Sequence, residues 1–193
     1  MFGVYIHWPF CKSKCPYCDF FSQVPKSVEF DIWKKAYLNE LENYAEILPE
    51  KKVSSIFFGG GTPSLMPVSV MSELIEKIKS LWQTSDNLEI SMEGNPSSLS
   101  VEKLEQFKNA GINRISIGVQ SLSDKNLKFL GRRHDVKTAL KRLDEALSVF
   151  SKVNMDLMYG LPHQSCRQWE LELNQALSLG LKHYSLYQLT IED

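Results

Sequence analysis

The chain has 193 residues, of which 43% are hydrophobic, 23% charged and 11% aromatic, the composition of a globular protein with its own core. Lysine and arginine total 22 against 23 for aspartate and glutamate, and a formal net charge of -1 excludes the basic surface typical of nucleic-acid binding. The longest apolar runs, such as Ile56-Phe57-Phe58, are far shorter than the roughly 18 residues of a membrane span. The first residues also lack the cationic and apolar regions of a signal peptide, so we expect neither a membrane span nor a signal peptide.

Strand and helix patterns alternate along the chain. Segments rich in β-branched and aromatic residues predict six strands, at 3–8, 53–58, 88–92, 114–119, 153–159 and 183–189. Amphipathic or capped segments predict helices at 28–48, 68–82, 100–111, 124–130, 136–150 and 168–179. Strands that alternate with helices pair in parallel through right-handed crossovers, so the sequence predicts an α/β fold.

Glycine or polar residues follow every predicted strand. They are the cysteines after strand 1, Gly59–Gly61, Glu93–Pro96, Gln120-Ser121, Gly160–Pro162 and Thr190–Asp193. An open doubly wound sheet places its ligands mainly at one switch point. Glycine or polar residues at the carboxyl ends of all six strands instead fit a barrel, in which all the loops after the strands lie around one opening. We therefore expect a partial (β/α)6 barrel of the TIM type.

The motif with the strongest signal is the cysteine loop, in which Cys11, Cys15 and Cys18 form C-x3-C-x2-C. The odd number of cysteines in this loop, in a chain with no secretory signal, argues against a disulfide framework. Structural zinc would need a fourth ligand, and the nearest candidate, His7, lies within a strand. The C-x2-C-x2-C spacing of ferredoxins is absent. Three thiolates can hold three irons of a [4Fe–4S] cluster and leave the fourth iron open to a small molecule that chelates through nitrogen and oxygen.

The other candidate residues each have an ordinary alternative. The glycine run at Gly59–Gly61 usually marks a turn, but it also lets backbone approach a ligand closely. Glu93 is a candidate for bonding ribose hydroxyls, or a surface glutamate near a turn. Gln120 and Arg132 would more often be solvated or salt-bridged. Asp156 lies inside an apolar strand, where a buried charge needs a partner, so a role in a site is favoured.

Two further residues, His134 and Cys166, lie near these motifs. His134 follows Arg132 and Arg133, and it is a candidate contact for an anionic substrate, with an ordinary surface loop as the alternative. Cys166 follows Gln164-Ser165, and we interpret it as a spare thiol. No side chain is assigned a catalytic role from the sequence.

The C-x3-C-x-aromatic-C motif after the first strand of a partial barrel resembles the radical SAM superfamily. This resemblance implies that S-adenosylmethionine caps the open iron of a [4Fe–4S] cluster held by Cys11, Cys15 and Cys18. It also implies that one electron from the reduced cluster cleaves the sulfonium to methionine and a 5′-deoxyadenosyl radical. The cofactors carry that chemistry, and the protein positions and shields them.

A wider set of motifs narrows the resemblance to the oxygen-independent coproporphyrinogen III oxidase-like group. These motifs are Tyr5–Cys11, Gly59–Ser64, Glu93–Pro96, Gly118–Ser121, Gly131–His134 and Asp156–Pro162, and together they extend over nearly the whole chain. The resemblance implies that Tyr5, Gly60 and Glu93 contact the cluster-bound S-adenosylmethionine. Residues that match contacts to a second S-adenosylmethionine in the oxidases are Tyr17, Gly61, Thr62, Gln120, Arg132 and Asp156. Whether a second molecule binds here is left open.

One position separates two branches of this group. The decarboxylating oxidases carry another cysteine two residues after the third, and Phe20 stands there in this chain. Cys-Pro-Tyr-Cys-Asp-Phe resembles the heme chaperone branch, which implies heme as cargo and a heme-accepting protein as partner. A reductant such as a flavodoxin or ferredoxin, a cytoplasmic location and a possible membrane-associated acceptor follow from the same resemblance. The alternatives are an oxygen-independent coproporphyrinogen III oxidase and a truncated inactive remnant.

The length of the chain bears on the alternative of a truncated remnant. A complete barrel of this type is typically ~250 residues or more, and the chain stops four residues after the predicted sixth strand. We therefore expect residues 1–193 to form a radical SAM core domain, with the C-terminal region of the family absent.

Overall fold

A computed structural model describes residues 2–190 as one sheet and the helices that cover it. The strands are β1 (Phe2–Trp8), β2 (Lys52–Gly60), β3 (Gln83–Gly94), β4 (Arg114–Gln120), β5 (Val153–Tyr159) and β6 (His183–Gln188). The helices are α1 (Phe30–Ile47), α2 (Val68–Leu81), α3 (Val101–Asn109), α4 (Asp124–Phe129), α5 (Val136–Val149) and α6 (Cys166–Leu177). Short 3₁₀ turns at Pro63–Leu65 and Pro96–Ser98 follow β2 and β3.

The order of the strands identifies the architecture. All five strand pairs are parallel, and the sheet runs from β1 to β6 in sequence order. A doubly wound sheet reverses its order at a switch point, whereas consecutive right-handed crossovers keep the helices on one face. No pairing of β6 with β1 closes the sheet within residues 2–190. The predicted partial (β/α)6 barrel is therefore confirmed.

Alternate residues of each strand face opposite sides of the sheet. Those on the outer side are apolar and fully or almost fully buried, and they include Ile6, Trp8, Ile56, Phe58, Ile90, Met92, Ile115 and Ile117. They join side chains of α2, α3 and α5 in one continuous core. Burial of each large apolar side chain stabilises the fold by about 1.5–3 kcal/mol. The inner side of the same strands carries the polar residues that form the site.

Local signals explain several element boundaries. The Asp135 carboxylate accepts a hydrogen bond from the backbone N–H of Thr138 at 2.8 Å, which begins α5. Ser165 and Gln168 form a capping box, so α6 begins at Cys166 rather than at the predicted residue 168. The first helix begins two residues after its predicted start. Strand β3 is much longer than the predicted 88–92, because residues 83–87 are polar and give no apolar signal.

None of the helices within residues 2–190 combines the length and the apolar character that crossing a membrane requires. The polar segment predicted after the sixth strand includes Ile191–Asp193, and those three residues lie outside the described part of the chain.

Candidate functional site

A cavity of about 660 Å³ opens at the carboxyl ends of the strands. Every sequence-predicted cofactor or metal residue except Tyr5 lines it, namely Cys11, Cys15, Tyr17, Cys18, Gly60, Gly61, Thr62, Glu93, Gln120, Arg132 and Asp156. These residues come from the loop after β1, from the end of β2 and the turn after it, from the ends of β3 and β4, from the middle of β5, and from the loop after α4. A volume of this size falls in the range of sites for cofactors and other small molecules.

The cysteine loop is closed by backbone hydrogen bonds at its base. The N–H of Cys11 donates to the carbonyl of Gln23 at 2.9 Å, and the N–H of Gln23 donates to the carbonyl of Pro9 at 2.7 Å. Cys11, Cys15 and Cys18 are free, half-buried thiols on this loop. Burial raises the pKa of the Cys18 thiol. The loop therefore places three thiols that form no disulfide along the wall of one cavity.

The donor set fits an iron–sulfur cluster better than a single ion. Within residues 2–190, no three histidine, cysteine or acidic side chains converge on one point as a mononuclear metal would require. In a [4Fe–4S] cluster each thiolate ligates a different iron, so convergence of the sulfurs is not needed. Cys166 lies exposed on the first turn of α6 and does not line the cavity, in agreement with its interpretation as a spare thiol.

Tyr5 lies on β1 beside the cavity rather than in its wall. Its ring stacks on Phe57 with centroids 5.9 Å apart, and its hydroxyl is 3.2 Å from Nδ1 of His7. Burial, and next the negative charge of Glu93, raise the pKa of Tyr5. The other ring nitrogen of His7 is 2.9 Å from the carbonyl of Phe21. Because both ring nitrogens are engaged, the zinc-ligand alternative for His7 has no support.

The glycine run is required by the protein's own backbone. Gly60 has φ +103°, and a Cβ there would lie 2.7 Å from the His7 ring and 3.0 Å from the Trp8 carbonyl. A Cβ on Gly61 would lie 2.9 Å from the carbonyl of Phe10. The N–H of Gly61 donates to the Trp8 carbonyl at 2.7 Å. The run thus joins the end of β2 to the base of the cysteine loop, and it lines the cavity as well.

Two carboxylates occupy the inner wall of the cavity. Burial, and next the negative charge of Asp156, raise the pKa of Glu93 to about 7, and a hydrogen bond from the Gly60 backbone opposes this. Burial likewise raises the pKa of Asp156. A second negative charge in the same cavity disfavours ionisation of the first carboxyl group. A bound cationic or hydrogen-bond-donating group would therefore favour the ionised form of both Glu93 and Asp156.

Asp156 has the partners that its burial demands. Its Oδ1 accepts hydrogen bonds from the Ser116 hydroxyl at 2.8 Å and from Nδ2 of Asn154 at 2.6 Å. The same Asn154 amide contacts the Ser185 hydroxyl at 2.9 Å. Three adjacent strands, β4, β5 and β6, therefore fix this carboxylate from one side. Ser116, Asn154 and Ser185 carried no motif, and only their alternation with apolar residues could have placed them on the inner face.

Gln120 and Arg132 meet above Gly118. Gln120 has φ +71°, a left-handed conformation that is uncommon for a residue other than glycine. A Cβ on Gly118 would lie 3.0 Å from Nε2 of Gln120, 3.2 Å from Oδ1 of Asn95 and 3.3 Å from Nη2 of Arg132. Arg132 also donates to the Gly118 carbonyl at 2.8 Å and to the Tyr17 hydroxyl at 3.2 Å. Asn95, to which the sequence assigned no role beyond its place in the Glu93–Pro96 segment, is thus part of the site.

The surface-loop interpretation of His134 is wrong. The ring is buried, its Nε2 is 3.1 Å from the carbonyl of Val119, and its Nδ1 has no partner in the described structure. Burial, and next the Arg132 charge, lower its pKa to about 4. A neutral imidazole that lies outside the main cavity is poorly suited to bind an anionic substrate.

Comparison with known proteins agrees with this geometry. The model of the "Radical SAM superfamily" matches residues 5–173. The heme chaperone HemW of Escherichia coli is 42% identical over 193 residues, which is 98% of this chain and 51% of that protein. The mitochondrial radical S-adenosyl methionine domain-containing protein 1 of Danio rerio is 38% identical over 191 residues, 98% of this chain and 43% of that protein. The chain spans about half the length of the curated relatives it matches.

Solved structures give the same result. Coproporphyrinogen III oxidase (HemN) from Escherichia coli, a radical SAM enzyme, matches with a TM-score of 0.86 and 27% identity, covering 97% of this chain and 44% of that chain. Native anSMEcpe with bound AdoMet matches with a TM-score of 0.71 over 97% of this chain and 51% of that chain. Its 12% identity supports the fold alone. On the family match, the parallel partial barrel and the cysteine loop at its mouth, the chain belongs to the radical SAM superfamily.

Proposed function

We propose that this chain is the cofactor-binding part of a heme chaperone of radical SAM type, which binds heme and transfers it to an acceptor protein. The observation that carries the proposal is the cavity of about 660 Å³, which is lined by the three loop cysteines, by every residue matched to an S-adenosylmethionine contact except Tyr5, and by exposed aromatic side chains. The names of the relatives at about 40% identity support the chaperone branch. Because the chain spans about half of those relatives, the acceptor and the complete heme site are proposals as well.

Cys11, Cys15 and Cys18 would hold three irons of a [4Fe–4S] cluster. When bound, the cluster and S-adenosylmethionine supply one-electron chemistry at the sulfonium. The chain's own residues would bind the cluster and S-adenosylmethionine and orient them. The backbone at Gly60 and the carboxylate of Glu93, with Tyr5 at the edge, would contact the cluster-bound S-adenosylmethionine. Contacts to a second molecule would come from Tyr17, Gly61, Thr62, Gln120, Arg132 and Asp156.

The mouth of the cavity suits a flat apolar ligand that carries negative groups. Phe20 and Phe129 line the cavity and are 59% and 55% exposed, and the buried Met158 of β5 lines it as well. Exposed aromatic rings at a cavity mouth are expected where a large apolar ligand covers them. The cations of Lys14 and Arg132 also line the cavity and could pair with propionates. These features favour heme as the cargo.

The partners are proposed from the chemistry. A cluster of this kind needs an external electron donor, and a flavodoxin or ferredoxin is the expected class. An open cluster held by three cysteines is sensitive to oxygen, which fits the reducing cytoplasm. A heme-accepting protein, free or attached to a membrane, completes the proposed cycle.

The test uses anaerobically reconstituted protein. We expect visible Fe–S absorbance, and we expect heme to stay bound through gel filtration without turnover. Phe20→Ala should weaken heme binding severalfold, and Phe21→Ala is the matched control, because Phe21 is 71% exposed and does not line the cavity. Absence of Fe–S absorbance would refute the cluster assignment. Heme retention that is equal in the two variants would refute the assignment of the cavity mouth.

A second candidate is an oxygen-independent coproporphyrinogen III oxidase. The structural match to HemN favours it, and the phenylalanine at position 20, in place of the oxidases' further cysteine, argues against it. Incubation with coproporphyrinogen III, S-adenosylmethionine and a reductant distinguishes the two functions. Decarboxylated product that forms together with methionine would overturn the chaperone proposal.

A further inference from the structure

We propose that Thr62, Asn95 and Arg132 are positioning residues that form one directed hydrogen-bond chain onto the sulfurs of Cys11 and Cys15, and that this chain sets the reduction potential of the cluster. The inference rests on the proposed cluster ligation. It assigns Thr62 and Arg132 a role that does not require a second S-adenosylmethionine, and it brings in Asn95.

The first end of the chain is at Cys11. The Thr62 hydroxyl lies 3.3 Å from the Cys11 sulfur, and Thr62 is buried. The backbone N–H of Thr62 donates to the Phe10 carbonyl at 2.9 Å, which fixes the residue against the base of the cysteine loop. Nδ2 of Asn95 lies 3.2 Å from the Thr62 hydroxyl oxygen. Since Asn95 supplies a hydrogen to that oxygen, the hydroxyl's own hydrogen is free to point at the sulfur.

The second end of the chain is at Cys15. Nη1 of Arg132 lies 3.6 Å from the Cys15 sulfur, and Nη2 bonds both Oδ1 of Asn95 and the Gly118 carbonyl. A guanidinium has only donors, so the Asn95 atom that faces it must be the oxygen. This orientation leaves the Asn95 amide nitrogen facing Thr62. Every hydrogen in the chain therefore points away from the arginine charge and toward a sulfur.

The consequence is electrostatic. Hydrogen-bond donors to the sulfurs of an iron–sulfur cluster stabilise its more negative, reduced state, and such outer contacts tune potential without ligating a metal. A cationic first donor polarises the chain further. The planar fork of Arg132 bonds Cys15, Asn95 and Gly118 at once, which a lysine ammonium could not reproduce. We therefore expect loss of any member to lower the potential of the cluster.

The decisive experiment compares Thr62→Val with Thr62→Ser in anaerobically reconstituted protein that contains neither S-adenosylmethionine nor heme. Electron paramagnetic resonance during a redox titration with dithionite measures the midpoint potential. In Thr62→Val we expect a negative shift, so that at the wild-type midpoint the ratio of reduced to oxidised cluster falls severalfold. Thr62→Ser should restore the wild-type value. Thr84→Val is the matched control, because Thr84 lies near the other end of the sheet, on β3 opposite Val53.

Arg132→Lys and Asn95→Ala test the rest of the hydrogen-bond chain, and both should shift the midpoint potential of the cluster in the same direction as Thr62→Val. They also keep the proposal testable if Thr62→Val does not fold. An unchanged midpoint in the folded variants would overturn the inference, even if S-adenosylmethionine binding weakens. Failure of the wild-type chain to take up a cluster would instead refute the proposed function, so the two failures are distinguishable.

Discussion

The two faces of the same six strands behave differently, although their residues alternate along one backbone. Met92 is fully buried on the outer face, and the next residue, Glu93, faces the cavity with a raised pKa. Met155 and Asp156 repeat this contrast on β5. The outer face is close-packed hydrocarbon, whereas the inner face carries hydroxyls, amides and carboxylates, several of them hydrogen-bonded to one another, beside the Tyr5–Phe57 stack. Stability therefore depends mainly on one face, and ligand binding mainly on the other.

The largest expected effect contrasts adjacent phenylalanines on β2. Phe58 is fully buried in the outer core, and Phe57 is a half-buried inner residue that stacks on Tyr5. Phe58→Ala should lower the free energy of unfolding by about 3–5 kcal/mol, because it leaves a cavity in packed hydrocarbon. Phe57→Ala should cost clearly less, about 1–2 kcal/mol, for lack of full burial. Urea denaturation of both variants measures the difference, and equal losses would contradict the division between the faces.

The second effect concerns the charge on the inner face. Because the folded-state pKa of Glu93 is raised from 4.5 to about 7, the folded protein binds the proton more tightly than the unfolded chain. Stability attributable to Glu93 is therefore full below about pH 4.5, falls as the pH rises toward 7, and stays reduced above it. Glu93→Gln should remove this loss and raise the free energy of unfolding by on the order of 2–3 kcal/mol at pH 8.

Thermal denaturation of wild type and Glu93→Gln between pH 4.5 and 8 tests this expectation. The raised pKa of Asp156 acts in the same direction, so the variant should keep a shallower residual slope. Identical pH dependence in the two proteins would show that Glu93 is not desolvated in the folded state. The same substitution should weaken S-adenosylmethionine binding, since the carboxylate is a proposed contact.

The third effect tests the point where β2 meets the cysteine loop. Gly60→Ala places a Cβ at φ +103°, 3.0 Å from the Trp8 carbonyl, and should lower the free energy of unfolding by about 2 kcal/mol. Gly180→Ala is the control, because Gly180 has φ +72° and open space around it, so the expected loss is about 1 kcal/mol. A similar loss in the two variants would show that the steric contact contributes nothing.

The contrast between the faces also explains what could be predicted from the sequence. The partial barrel, the three loop cysteines and the cofactor residues predicted at the strand ends follow from features local in sequence, such as the Cys11–Cys18 spacing and the polar residues after each strand. The hydrogen bonds among Asn154, Ser116 and Ser185 join residues up to 38 positions apart, and no spacing rule specifies them. His134 is buried and its ring contacts the Val119 carbonyl 15 positions away, which a polar stretch of sequence does not reveal.

The smallest expected effect lies in that inner network. Ser116→Ala removes one donor to Asp156 and leaves Asn154 as a donor, so the free energy of unfolding should fall by only about 1 kcal/mol. Ligand binding should respond more strongly, because the carboxylate loses part of the support that orients it toward the cavity. Isothermal titration of S-adenosylmethionine into cluster-loaded protein measures that response, with Ser148→Ala on the exposed side of α5 as control. Weakened binding with nearly unchanged stability would establish that the inner face is organised for the ligand, whereas a stability loss as large as that of Phe58→Ala would show that both faces serve the fold.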